Sequence, residues 1–393
     1  MSEIKKVIVI GAGHAGVSAA ISAAKLRKDL NQENAIVEVK SFLTPIGVHF
    51  IKDEVIGIDT NEQSIKLNNS GKKLNYDSLI MCAGSELAQP KILGIDSVYN
   101  IDTYKASLNF REALSEYLEK IRNDSLPKLE IAVLGGGITG IELACELPVT
   151  LRKLIFEKSI EVAPKLTVYL LDRGDVSLSL GEKPREYLEK AFEKAKVTCL
   201  NHVSIVEAYQ SKEDQARIKL DNKEIKVNFI VSTLGVKATK LNTFLAKETD
   251  RLGRVRVNQN LQTKIVNVFI AGDAANVMVD EKYGAVMSCQ HGRVQGRMAG
   301  YNAIAYLCDK PLLAYFQPNY VTCVDLGDYG ALYTEGWDRE VKKFGKEAKV
   351  IKSHINLDRI YPSRRNNADG IFETTEEIQF TAPTESIKTK ENL

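Results

Sequence analysis

KKVIVIGAGHAGVSAAISAAKL, from Lys5 to Leu26, is the stretch on which the fold turns. VIVI is a β-branched apolar run of strand length, and the small residues after Gly16 let a helix pack closely on a sheet, so the stretch reads as strand, glycine turn and helix. Within GAGHAG (Gly11, Ala12, Gly13, His14, Ala15, Gly16) each glycine has its own task. The first allows the tight turn, the second lets backbone approach a pyrophosphate, and the third permits helix against strand, while the helix N-terminus offers N–H groups to the anion.

LEIAVLGGGITGIELACEL repeats the pattern, with Gly135, Gly137 and Gly140 in the three glycine positions. One such turn serves plain packing about as often as it serves a ligand. Two copies in the same context point to internal duplication and to two dinucleotide sites. The motif also calls for an acidic residue roughly 20 positions on, at the end of the second strand, to accept from the ribose hydroxyls. Glu38 stands at that distance from Gly16, and in the second copy Asp172 follows a longer helix. A carboxylate at Asp172 repels a 2′-phosphate and favours NADH, whereas Arg173 beside it would accommodate NADPH.

At 393 residues the chain exceeds the roughly 250–300 residues at which single cores stop growing, so at least two domains are expected. Lys+Arg of 53 against Asp+Glu of 51 leaves a net charge of +2, which gives no electrostatic reason to expect nucleic acid. No run approaches the ~20 apolar residues of a membrane span, and no signal-peptide core precedes the first strand. A cytoplasmic location is expected, at most peripheral at the inner face of the cell membrane. The six cysteines are scattered without CxxC or metal-ligand spacing, so neither structural disulfides nor a metal is expected.

Further strands are expected at residues 36–39, 54–58, 64–67, 78–83 and 166–171, and helices at about 104–121, 184–195 and 289–306. Phe110, Leu114, Tyr117, Leu118 and Ile121 form the apolar stripe of the first helix. YVTCVDLGDYGALY reads as a hairpin, VKKFGKEAKVIK as a basic stretch, and the polar end from about Ser363 as poorly ordered. The fold class is α/β, with residues 1–104 and 236–317 forming one nucleotide-binding domain, 105–235 the second, and 318–393 a small α+β region with a polar tail.

GAGHAG, LIMCAGS, GGGITGIELACEL and VFIAGDAA, in that order, resemble the two-dinucleotide-binding-domain flavoproteins of the pyridine nucleotide–disulfide reductase-like fold, over roughly residues 1–315. The resemblance implies two Rossmann-like domains, FAD at the first glycine loop and NAD(P)H at the second. Gly11 to Gly16, Glu38, Ala83, Gly84, Gly235, Gly272 and Asp273 would then serve the cofactors, with Asp273 hydrogen-bonding the ribityl chain. The redox-disulfide branch of that class needs a CxxxxC beside the flavin, which is absent here.

Within the class the motifs resemble the type II NADH:quinone oxidoreductases. The resemblance implies hydride transfer from NADH to FAD and then electrons to a quinone, with Glu142 near the nicotinamide and Gln290 and Gln295 lining the acceptor site. CQHGRVQG matches that branch's glutamine-rich motif at Gln290, Gln295 and Gly296 and departs at Cys289, His291 and Val294. Two other departures are the lack of an aromatic-rich amphipathic tail, which leaves membrane attachment unsupported, and the short connection after Val39, where relatives spend a few dozen residues. A homodimer is left open.

Two alternatives remain at this stage. A sulfide:quinone oxidoreductase would use Cys145 and Cys323, which stand where that family holds sulfur, although buried cysteines act more often as small hydrophobes. A slow-turnover flavin-binding interaction protein, resembling apoptosis-inducing-factor-like proteins, would present DLGDYGALYTEGWDREV with its lone Trp337 to a partner.

Overall fold

The duplicated strand–turn–helix pattern resolves into two separate parallel sheets. The computed structural model describes residues 5–11, 43, 47–88, 90–122, 127–161, 163–211 and 215–360. The expected helix after Gly16, the strand at 36–39 and the polar tail lie outside these residues.

The first sheet pairs Ser78–Met81 with Val7–Ile10 on one side and Val268–Ile270 on the other, all parallel. Every residue of the central strand is buried, as a parallel strand covered on both faces requires. The second sheet has the order Val197–Leu200, Lys165–Leu171, Lys128–Leu134, Phe229–Ser232 and Tyr99–Asn100, again all parallel. From Lys128–Leu134 the chain steps outward twice and then returns to the opposite side at Phe229–Ser232. The strand order therefore reverses between those two strands, and in open α/β sheets ligands bind beyond the carboxyl ends at such a reversal.

Helix α1 (Tyr104–Lys120) is capped by Thr103, whose hydroxyl accepts from the Ala106 amide, and it buries Phe110, Leu114 and Leu118 as its periodicity predicts. Helix α2 (Ile138–Glu157) follows the second glycine loop and is buried over most of its first half. Helix α3 (Arg185–Ala195) lies in the same domain. Helix α4 (Cys289–Leu307) packs on the first sheet with Val294, Met298, Ala299 and Ala303 inward. Among the described residues one core cluster surrounds the first sheet, two flank the second, and a small one joins Ala331, Tyr333, Ala348 and Ile351.

The alternating runs form the three-stranded antiparallel sheet Val55–Asp59, Ser64–Leu67 and Lys73–Asn75. The hairpin expected near the end is present as Val321–Asp325 against Ala331–Glu335, joined by a third strand, Glu340–Phe344. The basic stretch divides between that third strand and helix α5 (Gly345–His354), which buries Ala348, Ile351 and Lys352. Among the described residues no helix is long and apolar enough to cross a membrane.

Candidate functional site

At the end of Lys128–Leu134, Gly135 turns the chain with φ 105° and Gly137 caps α2 without any side-chain hydrogen bond. Gly140 sits so near the turn that a Cβ there would lie 1.9 Å from the Gly135 carbonyl and 2.8 Å from the Thr233 hydroxyl. Thr233, at the end of the strand across the reversal, donates that hydroxyl to the carbonyls of Leu134 and Gly135 at 2.9 and 3.0 Å. Gly235 follows it with φ 94°. The α2 N-terminus is thus an uncapped turn at the strand reversal, the arrangement that suits a pyrophosphate.

Asp172 stands where the sequence places it, at the end of the next strand. One carboxylate oxygen accepts from the Gly136 amide at 2.7 Å and the other from Gly174 at 2.8 Å, so it also braces the glycine loop. Nothing in its sequence position signals that bracing.

The first half is described at Gly11 alone of its glycine loop; Ala12, Gly13, His14, Ala15, Gly16 and Glu38 lie outside the described residues. Gly11 has φ 92°, and a Cβ there would meet the Cys82 carbonyl at 2.4 Å, so only glycine fits the exit from this strand. Ala83 and Gly84 leave the neighbouring strand, and the Gly84 carbonyl accepts from the Thr239 amide at 3.1 Å. Asp273 follows Val268–Ile270, is 7% exposed, and accepts the Ser85 hydroxyl at 2.7 Å on one oxygen. Burial raises its pKa, with Ser85 and Arg254 acting the other way. Its second oxygen has no bond among the described residues, which suits a polyol donor. The glycine cradles and this half-used carboxylate fit FAD and a nicotinamide dinucleotide.

Gln295 is 1% exposed, and its side-chain oxygen accepts from the Gly272 amide at 2.8 Å, holding the turn that carries Asp273. Gln290 accepts from the Val321 amide at 3.2 Å, and its Nε2 is buried without a partner. The two glutamines therefore face different neighbours, the flavin-side turn and the C-terminal sheet.

Glu142 is the site residue whose surroundings the sequence could not foretell. It is 4% exposed; its Oε1 accepts from the Asp325 amide at 2.9 Å and pairs with Lys352 Nζ at 2.7 Å, while among the described residues no bond is made by Oε2. One helical turn on, Glu146 pairs with Lys349 at 2.9 Å, and Lys349 also holds Asp325. Burial disfavours the Lys352 charge, but Glu142, with Cys323 and Asp325, outweighs it and holds the pKa above the ordinary lysine value. Two acids at i, i+4 on α2 and two lysines at i, i+3 on α5 were visible as spacings. Their meeting was not, because nothing local says which helices will pack.

Cys145 is buried in α2, and desolvation first, then the neighbouring Glu146 and Asp325, hold its thiol well above the usual range. Burial pushes Cys323 up to about 12, with Lys352 opposing. Both are protonated thiols near neutrality. Among the described residues no group of three or more His, Cys, Asp or Glu could hold a metal.

Two parallel sheets, each left through a glycine, with Asp172 beside one and Asp273 beside the other, define an α/β fold of Rossmann-like type. The family model for pyridine nucleotide-disulphide oxidoreductases matches residues 33–296, and the chain belongs to that family of FAD- and NAD(P)H-dependent enzymes. An NADH dehydrogenase-like protein of Mycobacterium tuberculosis is 34% identical over 390 residues, covering 91% of this chain and 94% of the relative. The demethylphylloquinone reductase of Synechocystis is 25% identical over 305 residues, covering 75% of this chain and 69% of that one. The sulfide:quinone oxidoreductase structure from Aquifex aeolicus shares the fold, with a TM-score of 0.70, 17% identity and 95% coverage of each chain. The protein is thus an NADH dehydrogenase-like flavoprotein oxidoreductase.

Proposed function

We propose that the protein takes electrons from NADH and passes them to a quinone. The uncapped N-terminus of α2 at the strand reversal, with its loop amide held by Asp172, carries the donor half of this reading. Bound FAD and NADH supply the hydride and two-electron chemistry, and the protein's work is to bind and orient them. In this reading residues 1–104 and 236–317 hold FAD, residues 105–235 hold NADH, and residues 318–393 form a separate C-terminal region. Asp172 presents a carboxylate where NADPH would bring a phosphate, which favours NADH.

Asp273 fixes the flavin chain with its free oxygen, and Gln295 holds the turn beneath it. Glu142 orients the nicotinamide through Oε2, since Oε1 is committed to Lys352 and the Asp325 amide. Gln290 offers its unpartnered amide N–H to the acceptor. The relationship to a demethylphylloquinone reductase supports a quinone acceptor. The raised thiol pKa values at Cys145 and Cys323 speak against sulfide chemistry, which needs a thiolate.

Stopped-flow mixing of the oxidised holoprotein with NADH, NADPH and sulfide in turn tests the donor. NADH is expected to bleach the flavin fastest, at least tenfold ahead of NADPH. Bleaching by sulfide but not by NADH would overturn the reading, and tight flavin binding with negligible turnover would favour an interaction protein.

A further inference from the structure

Lys349 lies on helix α5 about one turn before Lys352, and the two ammonium groups reach α2 by different routes. Lys352 pairs with Glu142 directly, at 2.7 Å. Lys349 pairs at 2.9 Å with Glu146, one turn along α2 from Glu142, and its Nζ also donates to Asp325 Oδ1. Glu146 is 1% exposed and Asp325 8%, so a single nitrogen serves two carboxylates that are withdrawn from water. Taking a cation away from buried carboxylates is costly, which marks Lys349 as more than a surface charge.

Asp325 ends the strand Val321–Asp325 and opens the turn to Ala331–Glu335, and this turn lies against α2. Gly327, at φ 59°, comes so near that a Cβ there would lie 2.2 Å from the Cys145 carbonyl. The Gly327 amide donates at 3.1 Å to Asp325 Oδ1, the same oxygen that Lys349 holds. At the outer rim of the turn Arg152 pairs with Asp328, both about half exposed. The backbone amide of Asp325 then donates to Glu142 Oε1 at 2.9 Å. These contacts form a closed ring, from Glu146 on α2 to Lys349, to the Asp325 side chain, and through the Asp325 backbone to Glu142 on α2 again.

We propose that Lys349 is a positioning residue for NADH oxidation: by fixing the Asp325 carboxylate it aims the Asp325 amide at Glu142 and so sets the direction in which Glu142 Oε2 points. The proposal rests on the reading of Glu142 above and deepens it. Glu142 Oε1 receives two donors of different kinds, an ammonium on a flexible four-carbon stem and an amide fixed in a turn. The ammonium follows the carboxylate as it rotates and the amide does not, so the amide decides the orientation. A misplacement of about 1 Å at a reacting centre can cost about a hundredfold in rate, so a residue two contacts away governs the hydride step.

Stopped-flow reduction of the FAD-loaded protein by NADH tests the link, read as the limiting rate and the NADH concentration that gives half of it. Lys349→Met is expected to lower the limiting rate about tenfold while the half-saturating NADH concentration stays within about threefold. Asp325→Asn keeps the backbone amide and weakens the hold of Lys349; it reads the same link if loss of the lysine prevents folding, and should lower the rate about fivefold. Lys349→Arg keeps a cation between the two acids and should hold the rate within about threefold of wild type. In the Glu142→Gln background Lys349→Met should change the rate by less than about twofold, because its effect passes through Glu142, whereas a merely structural lysine would slow both backgrounds alike. Arg152→Met, at the exposed rim of the same turn, should leave the rate within about twofold of wild type. Rates within about twofold of wild type in both Lys349→Met and Asp325→Asn, or an undiminished loss in the Glu142→Gln background, overturn the proposal. If Glu142→Gln itself leaves the rate unchanged, the reading of Glu142 fails and the proposal with it. If that variant slows reduction while the two link variants do not, the proposal alone is wrong.

Discussion

Helices α2 and α4 both begin beside a glycine turn at the end of a parallel strand, yet their N-termini are finished in opposite ways. Gly137 leaves α2 without a side-chain cap, whereas the Ser288 hydroxyl accepts from the His291 amide and closes the first turn of α4. An open turn keeps its N–H groups for an anion, and a closed one has used them. Their interiors differ as well. Helix α2 buries two carboxylates, Glu142 and Glu146, which need lysines from α5; α4 buries neutral groups, His291, Gln295 and Asn302. The comparison teaches that one helix is built around phosphate and charge, and the other around neutral hydrogen bonding.

The largest test of that contrast is at the charged helix. Lys352→Met leaves the Glu142 carboxylate buried without its cation and is expected to cost about 3–5 kcal/mol of stability, read as a drop in urea midpoint and Tm. Adding Glu142→Gln should restore most of the loss. A single variant as stable as wild type would show the pair to be incidental.

The next effect belongs to the neutral helix. Burial holds the folded pKa of His291 near 4, below the ordinary histidine value of about 6.5, so the unfolded chain takes up the proton first as pH falls. The stability associated with its neutral form is therefore complete above about pH 6.5 and is lost as pH falls toward 4, by roughly 2–3 kcal/mol. Urea titrations of wild type and His291→Phe across that window should diverge, with the variant showing the flatter profile. Parallel profiles would mean that the histidine is protonated in the fold.

The smallest and most discriminating test exchanges the two caps. Ser288→Ala should cost about 1 kcal/mol with little effect on NADH affinity. Gly137→Ser has open space for its side chain and an ordinary backbone, so it should stabilise α2 by a few tenths of a kcal/mol. Its hydroxyl would compete with the dinucleotide for the same amides, and NADH affinity measured by titration should fall severalfold. Unchanged affinity would place the pyrophosphate elsewhere.

Much of the second sheet was legible residue by residue. The apolar run before Gly135, the periodic stripe of α1 and the strand before Asp172 are local patterns, and each appears within a residue or two of its expected bounds. Asp273 was legible for the same reason, since an apolar strand ending at a glycine fixes where the next residue emerges. Glu142 was placed on the right helix but given an incomplete environment, because its lysine lies more than two hundred residues away on α5. His291 looked like a bystander next to a glutamine, and only the structure shows that it is buried in α4 with its ring beside that of Tyr320. Trp337 carried no periodic signal at all.

By itself the sequence determined that there are two nucleotide-binding halves and that no disulfide relay joins them, because strand, glycine turn and cysteine spacing are short-range patterns in which neighbours along the chain decide the conformation. Only the tertiary structure decided that the C-terminal sheet and α5 sit against α2 and α4, bringing Lys352 to Glu142 and Trp337 between two tyrosines. Those meetings depend on which apolar faces cover one another, a choice made by burial across the whole chain rather than by any segment alone.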